Sequence, residues 1–153
     1  MKPVAEGFTN MLAEMSRKIA SGESVAPPIG KLIGFRLVSL DQGQAVFEMD
    51  ADERHWNPMG TLHGGVLCDI ADAAMGFAFA TTLAEGESFT TIELKINYLR
   101  PIWRAHLRAT GRVVKRGRKI GLVDCDVTDE KGALVARASS TCMALSADEA
   151  RGR

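Results

Sequence analysis

The spacing of apolar and polar positions changes several times along the chain, and each change marks an element. Over residues 8–20, Phe8, Met11, Leu12, Met15 and Ile19 recur at helical intervals, the pattern of one apolar helix face. Arg17 and Lys18 near its end suit the negative pole of a helix dipole. The stretch predicts an amphipathic helix serving as a cover or interface. Ser21-Gly22 ends it, and Pro27-Pro28 opens a short turn through Gly30 and Gly34. From Phe35 the period falls to two: residues 35–40 and 44–49 flank Asp41-Gln42-Gly43, a hairpin signal. Residues 66–84 are apolar almost all round, which predicts an enclosed helix. Ile92, Leu94, Ile96 and Tyr98 then alternate with Thr91, Glu93, Lys95 and Asn97, a strand with one buried face, closed by Pro101. Three more strand-like runs follow at 104–115, 119–128 and 133–145, split by Lys-Arg-Gly and Asp-Glu-Lys-Gly turns. In the last run Leu134, Ala136, Ala138, Ser140, Cys142 and Ala144 share a face, and these mostly small side chains leave room for a helix to approach the sheet.

This order predicts an α+β fold in which an antiparallel sheet of five to six strands curls around one long central helix, preceded by an amphipathic helix. The sheet's edges and outer face then need partners, so a homodimer is expected. We divide the chain into an N-terminal helical extension (1–27), one domain (28–146) and a tail (147–153). At 153 residues with 46% apolar side chains, one domain with a real core is the expectation. Nineteen basic and nineteen acidic residues cancel, which argues against a globally basic nucleic-acid binder. Cys68, Cys125 and Cys142 are odd in number and far apart, so no disulfide framework or zinc ribbon is indicated and a reducing, cytoplasmic setting fits. No export signal is expected, because Glu6 and Glu14 interrupt the first twenty residues. No membrane span is expected either: Asp69 and Asp72 fall inside the apolar stretch, and each carboxylate costs roughly 2.5–3.5 kcal/mol at a bilayer centre.

The chemistry concentrates in Asn57-Pro58-Met59-Gly60-Thr61-Leu62-His63-Gly64-Gly65 and the helix after it. Glycines ahead of an apolar helix leave its first N–H groups unobstructed, and these donors with the positive dipole end can hold a developing oxyanion. At about 100° per residue, Asp69 and Asp72 lie within roughly 60° of each other on the stripe of Gly65 and Gly76, with Val66, Ile70, Ala74 and Phe77 opposite. Desolvation and mutual repulsion should raise at least one carboxyl pKa, as suits a general base. Asp69 is read as a structural acid bonded to backbone or to a neighbouring arginine, and Asp72 as the functional one.

Asn57, His63-Gly64-Gly65 and Asp72 resemble the N-x-x-G-x-x-H-G-G pattern, followed by an acidic residue on the central helix, of the hotdog-fold acyl-CoA thioesterases, in particular the PaaI-like branch. Asn97-Tyr98-Leu99-Arg100-Pro101 is similar to that family's Tyr-x-Arg-Pro or Phe-x-Arg-Pro turn. The resemblance runs from about residue 28 to 145. It implies a hotdog fold and hydrolysis of acyl-CoA to a free acid and coenzyme A, in a homodimer or a homotetramer. It places the catalytic carboxylate on Asp72, the oxyanion donor on the Gly64 N–H beside Gly65, and the water-positioning amide on Asn57. A Thr at the following strand, Thr90 or Thr91, assists, and we take Thr91. Each site spans two chains, Asp72 facing Asn57 and Gly64 of the partner. His63 shapes the loop through hydrogen bonding. The chemistry itself is modest, because a thiol with a pKa near 8.5 is a good leaving group.

Residues 100–119 hold eight of the nineteen basic residues and no Asp or Glu, a local positive patch under the neutral total. Arg116, Arg118 and Lys119 in a glycine turn, with Arg100, are candidates for the phosphates of coenzyme A. Arg104, Arg108 and Arg112 share a strand face that is equally an ordinary solvated surface. Met59, Met75, Phe79 and Phe89 are candidate acyl-pocket residues. No metal site is expected from His55, His63 and His106, whose spacing fits no zinc pattern, and no cofactor beyond the coenzyme A of the substrate. Nucleic acid is not an expected partner, for no aromatic platform accompanies the basic patch. Two other functions compete: a hotdog 3-hydroxyacyl dehydratase or hydratase built on His63 and Asp72, and a non-catalytic acyl-CoA-binding module.

Overall fold

A computed structural model of the chain describes residues 4–151, with side chains from residue 9 onward. The side chain of Phe8 and the outermost residues of the extension and tail (1–3 and 152–153) lie outside the described residues. Helix α1 (Val4–Ala20) and the short α2 (Pro28–Ile33) precede a hairpin of β1 (Phe35–Asp41) and β2 (Gln44–Ala51). A single 3-10 turn at Glu53–His55 leads to α3 (Gly64–Ala80), followed by β3 (Ser88–Tyr98), β4 (Ala105–Arg116), β5 (Ile120–Thr128), β6 (Leu134–Leu145) and α4 (Ala147–Ala150). The six strands form one sheet in the order β1-β2-β4-β5-β6-β3, every neighbour antiparallel.

Helix α3 carries Ile70, Ala71, Ala74, Met75, Ala78 and Phe79 at 0% exposure. It packs against all six strands, which explains why its apolar residues wrap round its whole girth. The closest approach is not at the small residues of β6 but at Gly111 of β4, where a Cβ would sit 2.3 Å from the Ala74 carbonyl oxygen. The β1–β2 loop is tighter than expected. Asp41 pairs directly with Gln44, and Gly43 supplies φ 72°, so the turn closes on two residues.

Three features depart from the sequence pattern. The Pro27-Pro28 turn is a helix, because proline at the first helical position gives up an N–H that has no intrahelical partner anyway. Gly34 ends it at φ 105°. The segment after β6 also forms a helix, α4, whose start is capped reciprocally by Ser146 and Glu149. Third, β3 does not bury one unbroken face. Register against β6 shifts between Thr91 and Glu93, a bulge that leaves Ile92 54% exposed. The bulge turns Thr91 toward α3 while Leu94 and Ile96 resume the inward phase. Both edges of the sheet, β1 and β3, lack a strand partner among the described residues.

Candidate active site

Asp72 sits mid-way along α3, half-buried, and the hydroxyl of Thr91 donates to its Oδ1 at 3.3 Å. Burial pushes the Asp72 carboxyl above its ordinary value; the Thr91 hydrogen bond pulls it partly back, and the Asp69 charge adds to the rise. The two residues open on a cavity of about 260 Å³ shared with Asp69, Gly76, Phe77 and Phe89, and walled on the far side by Ile29. A carboxylate with one hydrogen-bond donor in an apolar hollow is poorly solvated and correspondingly basic.

The second half of the motif faces elsewhere. His63 caps α3: its Nδ1 accepts the Gly65 N–H at 2.9 Å. The Gly65 donor is thereby consumed. The Gly64 N–H, by contrast, meets no acceptor among the described residues. Gly64 lines a separate cavity of about 380 Å³ with Asn57, Thr61, Tyr98 and Arg100. Tyr98 covers Gly64 closely; its hydroxyl donates to the Gly64 carbonyl at 3.1 Å, and a Cβ on Gly64 would fall 2.8 Å from the ring. Asn57 is held by its own loop. Its Oδ1 accepts the N–H groups of Met59 and Thr61, and its Nδ2 donates to the Thr61 hydroxyl at 2.9 Å, leaving the second amide hydrogen. Within one chain, therefore, Asp72 and the Gly64 N–H line different cavities.

Other expected residues are placed less simply. Met75 and Phe79 are fully buried in the core and line neither cavity. Met75 lies well round the helical wheel from the cavity, and Phe79 packs against Gly121 of β5 under Arg116, whereas Phe77, expected on the opposite side, lines the cavity. Phe89 does line it. Met59 is 80% exposed and touches neither hollow in a single chain. Asp69 is not bonded to backbone or arginine: among the described residues it has no hydrogen bond or ion pair, and it stands at the cavity rim.

The positive patch is largely neutralised in space. Arg100 pairs with Asp129 at 3.2 Å, Arg104 with Glu53, Arg108 with Glu48 at 2.5 Å, and Lys119 with Glu149 at 2.5 Å. Arg116 is engaged within the fold. Its guanidinium lies 5.0 Å over the Phe79 ring, donates to the Gly117 and Arg118 carbonyls and faces Glu87 at 3.5 Å. Arg118 has no carboxylate partner among the described residues and is exposed. His55 is likewise structural, its Nε2 on the Ile33 carbonyl at 2.7 Å and its Nδ1 accepting the Asp52 N–H. Among the described residues no three His, Cys, Asp or Glu side chains gather closely enough to hold a metal ion.

Residues 59–136 match the profile of the thioesterase superfamily. The chain belongs to that superfamily. It is 27% identical over 136 residues to human acyl-coenzyme A thioesterase 13, covering 88% of this chain and 94% of that protein. It is 29% identical over 98 residues to the 1,4-dihydroxy-2-naphthoyl-CoA hydrolase of Listeria monocytogenes, covering 64% and 80%. Among solved structures, a variant of the phenylacetic acid degradation protein PaaI from Thermus thermophilus superposes with TM-score 0.71 at 27% identity, over 76% of this chain and 98% of that one. The fold is the hotdog fold, and the protein is a thioester hydrolase of the PaaI-like branch. No helix among the described residues is long and apolar enough to cross a membrane.

Residues that the sequence did not single out complete both hollows. Thr61 and Leu67 line the Gly64 cavity; Pro27, Ile29 and Phe35 line the Asp72 cavity from outside the matched segment. Proline and glycine spacing around residues 27–34 signals a turn in sequence, and the helix formed there carries Ile29 to the cavity.

Proposed function

We propose that the protein hydrolyses acyl-CoA thioesters to a free acid and coenzyme A, in a site shared by two copies of the chain. The observation that carries this is the split site: one chain offers Asp72 in an apolar hollow and a free Gly64 N–H in another. Pairing two chains along the open β3 edge, where Ile92 and Tyr98 are exposed, brings one protomer's acid opposite its partner's amide. A dimer of dimers is a natural extension of that pairing.

In such a site the thioester carbonyl accepts the Gly64 N–H at the positive end of α3. The Asp72 carboxylate attacks the carbonyl carbon or takes a proton from a water aligned by Asn57. Either route needs Asp72 ionised. Collapse expels the coenzyme A thiolate, and water supplies hydroxide to the acyl carbon and a proton to the sulfur. No resident metal or cofactor is needed for these steps. The coenzyme A arm leaves past Met59 and Arg100, with exposed Arg118 available to its phosphates and Lys119 beside it once released from Glu149. Three free thiols fit a reducing cytoplasm.

The test is thiol release, followed with a disulfide reagent, over a panel of acyl-CoAs. Turnover of at least one acyl-CoA is expected. Tight binding of the panel without release of thiol would favour the binding-only function and defeat the hydrolase proposal.

A further inference from the structure

We propose that Ile29 on α2 is a specificity-determining residue, the wall that limits the length and bulk of the acyl group. The inference rests on the acyl group occupying the Asp72 cavity, as the function above requires.

That cavity, about 260 Å³, lies below the roughly 300–1,000 Å³ typical of ligand pockets. It suits an acyl group of restricted size, with the coenzyme arm outside. Its floor is fixed. Gly76 and Phe89 meet so closely that a Cβ on Gly76 would fall 3.2 Å from the ring, and Phe77 packs edge-on against buried Phe47 at 5.2 Å. The remaining apolar wall is Pro27, Ile29 and Phe35, of which Phe35 is fixed in the core. Ile29 is 48% exposed, with part of its surface toward solvent and part toward the cavity.

A wall selects only if it does not yield, and α2 is pinned at both ends. Leu37 N–H binds the Val25 carbonyl at 2.7 Å just before it, and Gly34 N–H closes on the Gly30 carbonyl at 2.7 Å. His55 holds the Ile33 carbonyl from the loop that carries Asn57. Gly30 leaves no slack, since a Cβ there would sit 2.6 Å from the Phe35 carbonyl oxygen. Ile29 also lies outside the matched segment 59–136, whereas Asn57 is just before it and Asp72, Gly64 and Thr91 are within it. The groups that do the chemistry and the side chain that measures the acyl group thus sit on different parts of the chain.

The experiment measures kcat/KM of the full chain for acetyl-, butyryl-, hexanoyl-, octanoyl-, decanoyl- and phenylacetyl-CoA. Wild type is compared with Ile29→Ala and Ile29→Trp. Ile29→Ala should raise the ratio of the longest to the shortest acyl group about tenfold or more, and Ile29→Trp should lower it comparably, since one methylene in an apolar pocket is worth roughly 10–200-fold. Ratios unmoved in both variants, or all acyl groups weakened by one factor, would overturn the wall while the hydrolase stands. A wild type that releases no thiol from any member would overturn both.

Discussion

The two cavities on this chain differ in the polar groups they carry: one holds acids, the other hydrogen-bond donors. The Asp72 hollow is mostly apolar, with two raised carboxyls, Asp72 and Asp69, and a single hydroxyl donor. The Gly64 hollow is mixed, with an unused amide, an asparagine and an arginine set among Leu62, Leu67, Leu99 and Ile102. Neither is sufficient alone. An acid without an oxyanion donor makes a tetrahedral intermediate too costly, and a donor without a base or nucleophile only binds. On the proposed mechanism one reaction is divided into halves that a single protomer keeps apart, which would make assembly a condition of activity.

Removing the acid should have the largest effect. Asp72→Asn keeps shape and removes both nucleophile and base, and kcat is expected to fall at least about a thousandfold, with acyl-CoA binding by calorimetry nearly unchanged. Near wild-type turnover would show that the half-site is misassigned.

The donor half is tested by Gly64→Pro against Gly64→Ala. Proline is tolerated at the first helical position, and His63 before it already has ψ 129°, the extended conformation a pre-proline residue prefers. Both substitutions push Tyr98 with the same Cβ, but only proline deletes the N–H. The proline variant should be slower than the alanine variant by about a hundred- to thousandfold. Equal rates would remove Gly64 from the mechanism.

Mixing the two inactive proteins sharpens the comparison. If each site takes its acid from one protomer and its donor from the other, random exchange of Asp72→Asn with Gly64→Pro makes half the dimers mixed, each with one intact site. About a quarter of wild-type activity should return. Sites contained within one protomer would recover nothing.

How much of this was visible beforehand differs between the halves. The six strands and α3 follow from period alone, because burial on one face or all round writes itself into alternation. The motif from Asn57 to Asp72 was equally plain, since glycines at a helix start and acids on an apolar helix are costly without use. Less visible was anything set by packing partners distant in sequence. The phase of α3 decides that Phe77 and not Met75 reaches the cavity, and sheet contacts fix that phase. A bulge at Ile92 aims Thr91 inward, where strict alternation offers no reason for it. The basic run at 100–119 reads in sequence as an unopposed positive patch, and the fold brings Glu48, Glu53, Glu87, Asp129 and Glu149 against it.

The smallest expected effect concerns stability, and here Asp72 opposes Asp129. Asp72 has a raised folded pKa, chiefly through burial. Below the unfolded value near 3.9 both states are protonated and the side chain carries no penalty. As pH climbs through the folded value, the unfolded state has already lost the proton, so the folded state loses stability. Asp129 runs the other way. The Ala133 and Lys131 N–H groups and Arg100 hold its carboxyl below the ordinary value, against the opposing pull of burial. Its contribution is present above the unfolded pKa and disappears as pH falls through the folded one. In melting curves at pH 8, Asp72→Asn should therefore gain on the order of 2–4 °C, and Asp129→Asn should lose stability. The Asp72→Asn gain should shrink as the pH is taken toward 4, whereas the Asp129→Asn loss should persist to about pH 4 and shrink only below it. A loss for Asp72→Asn at pH 8 would mean that the carboxylate is stabilised where it sits, and a base so well solvated has little reason to react.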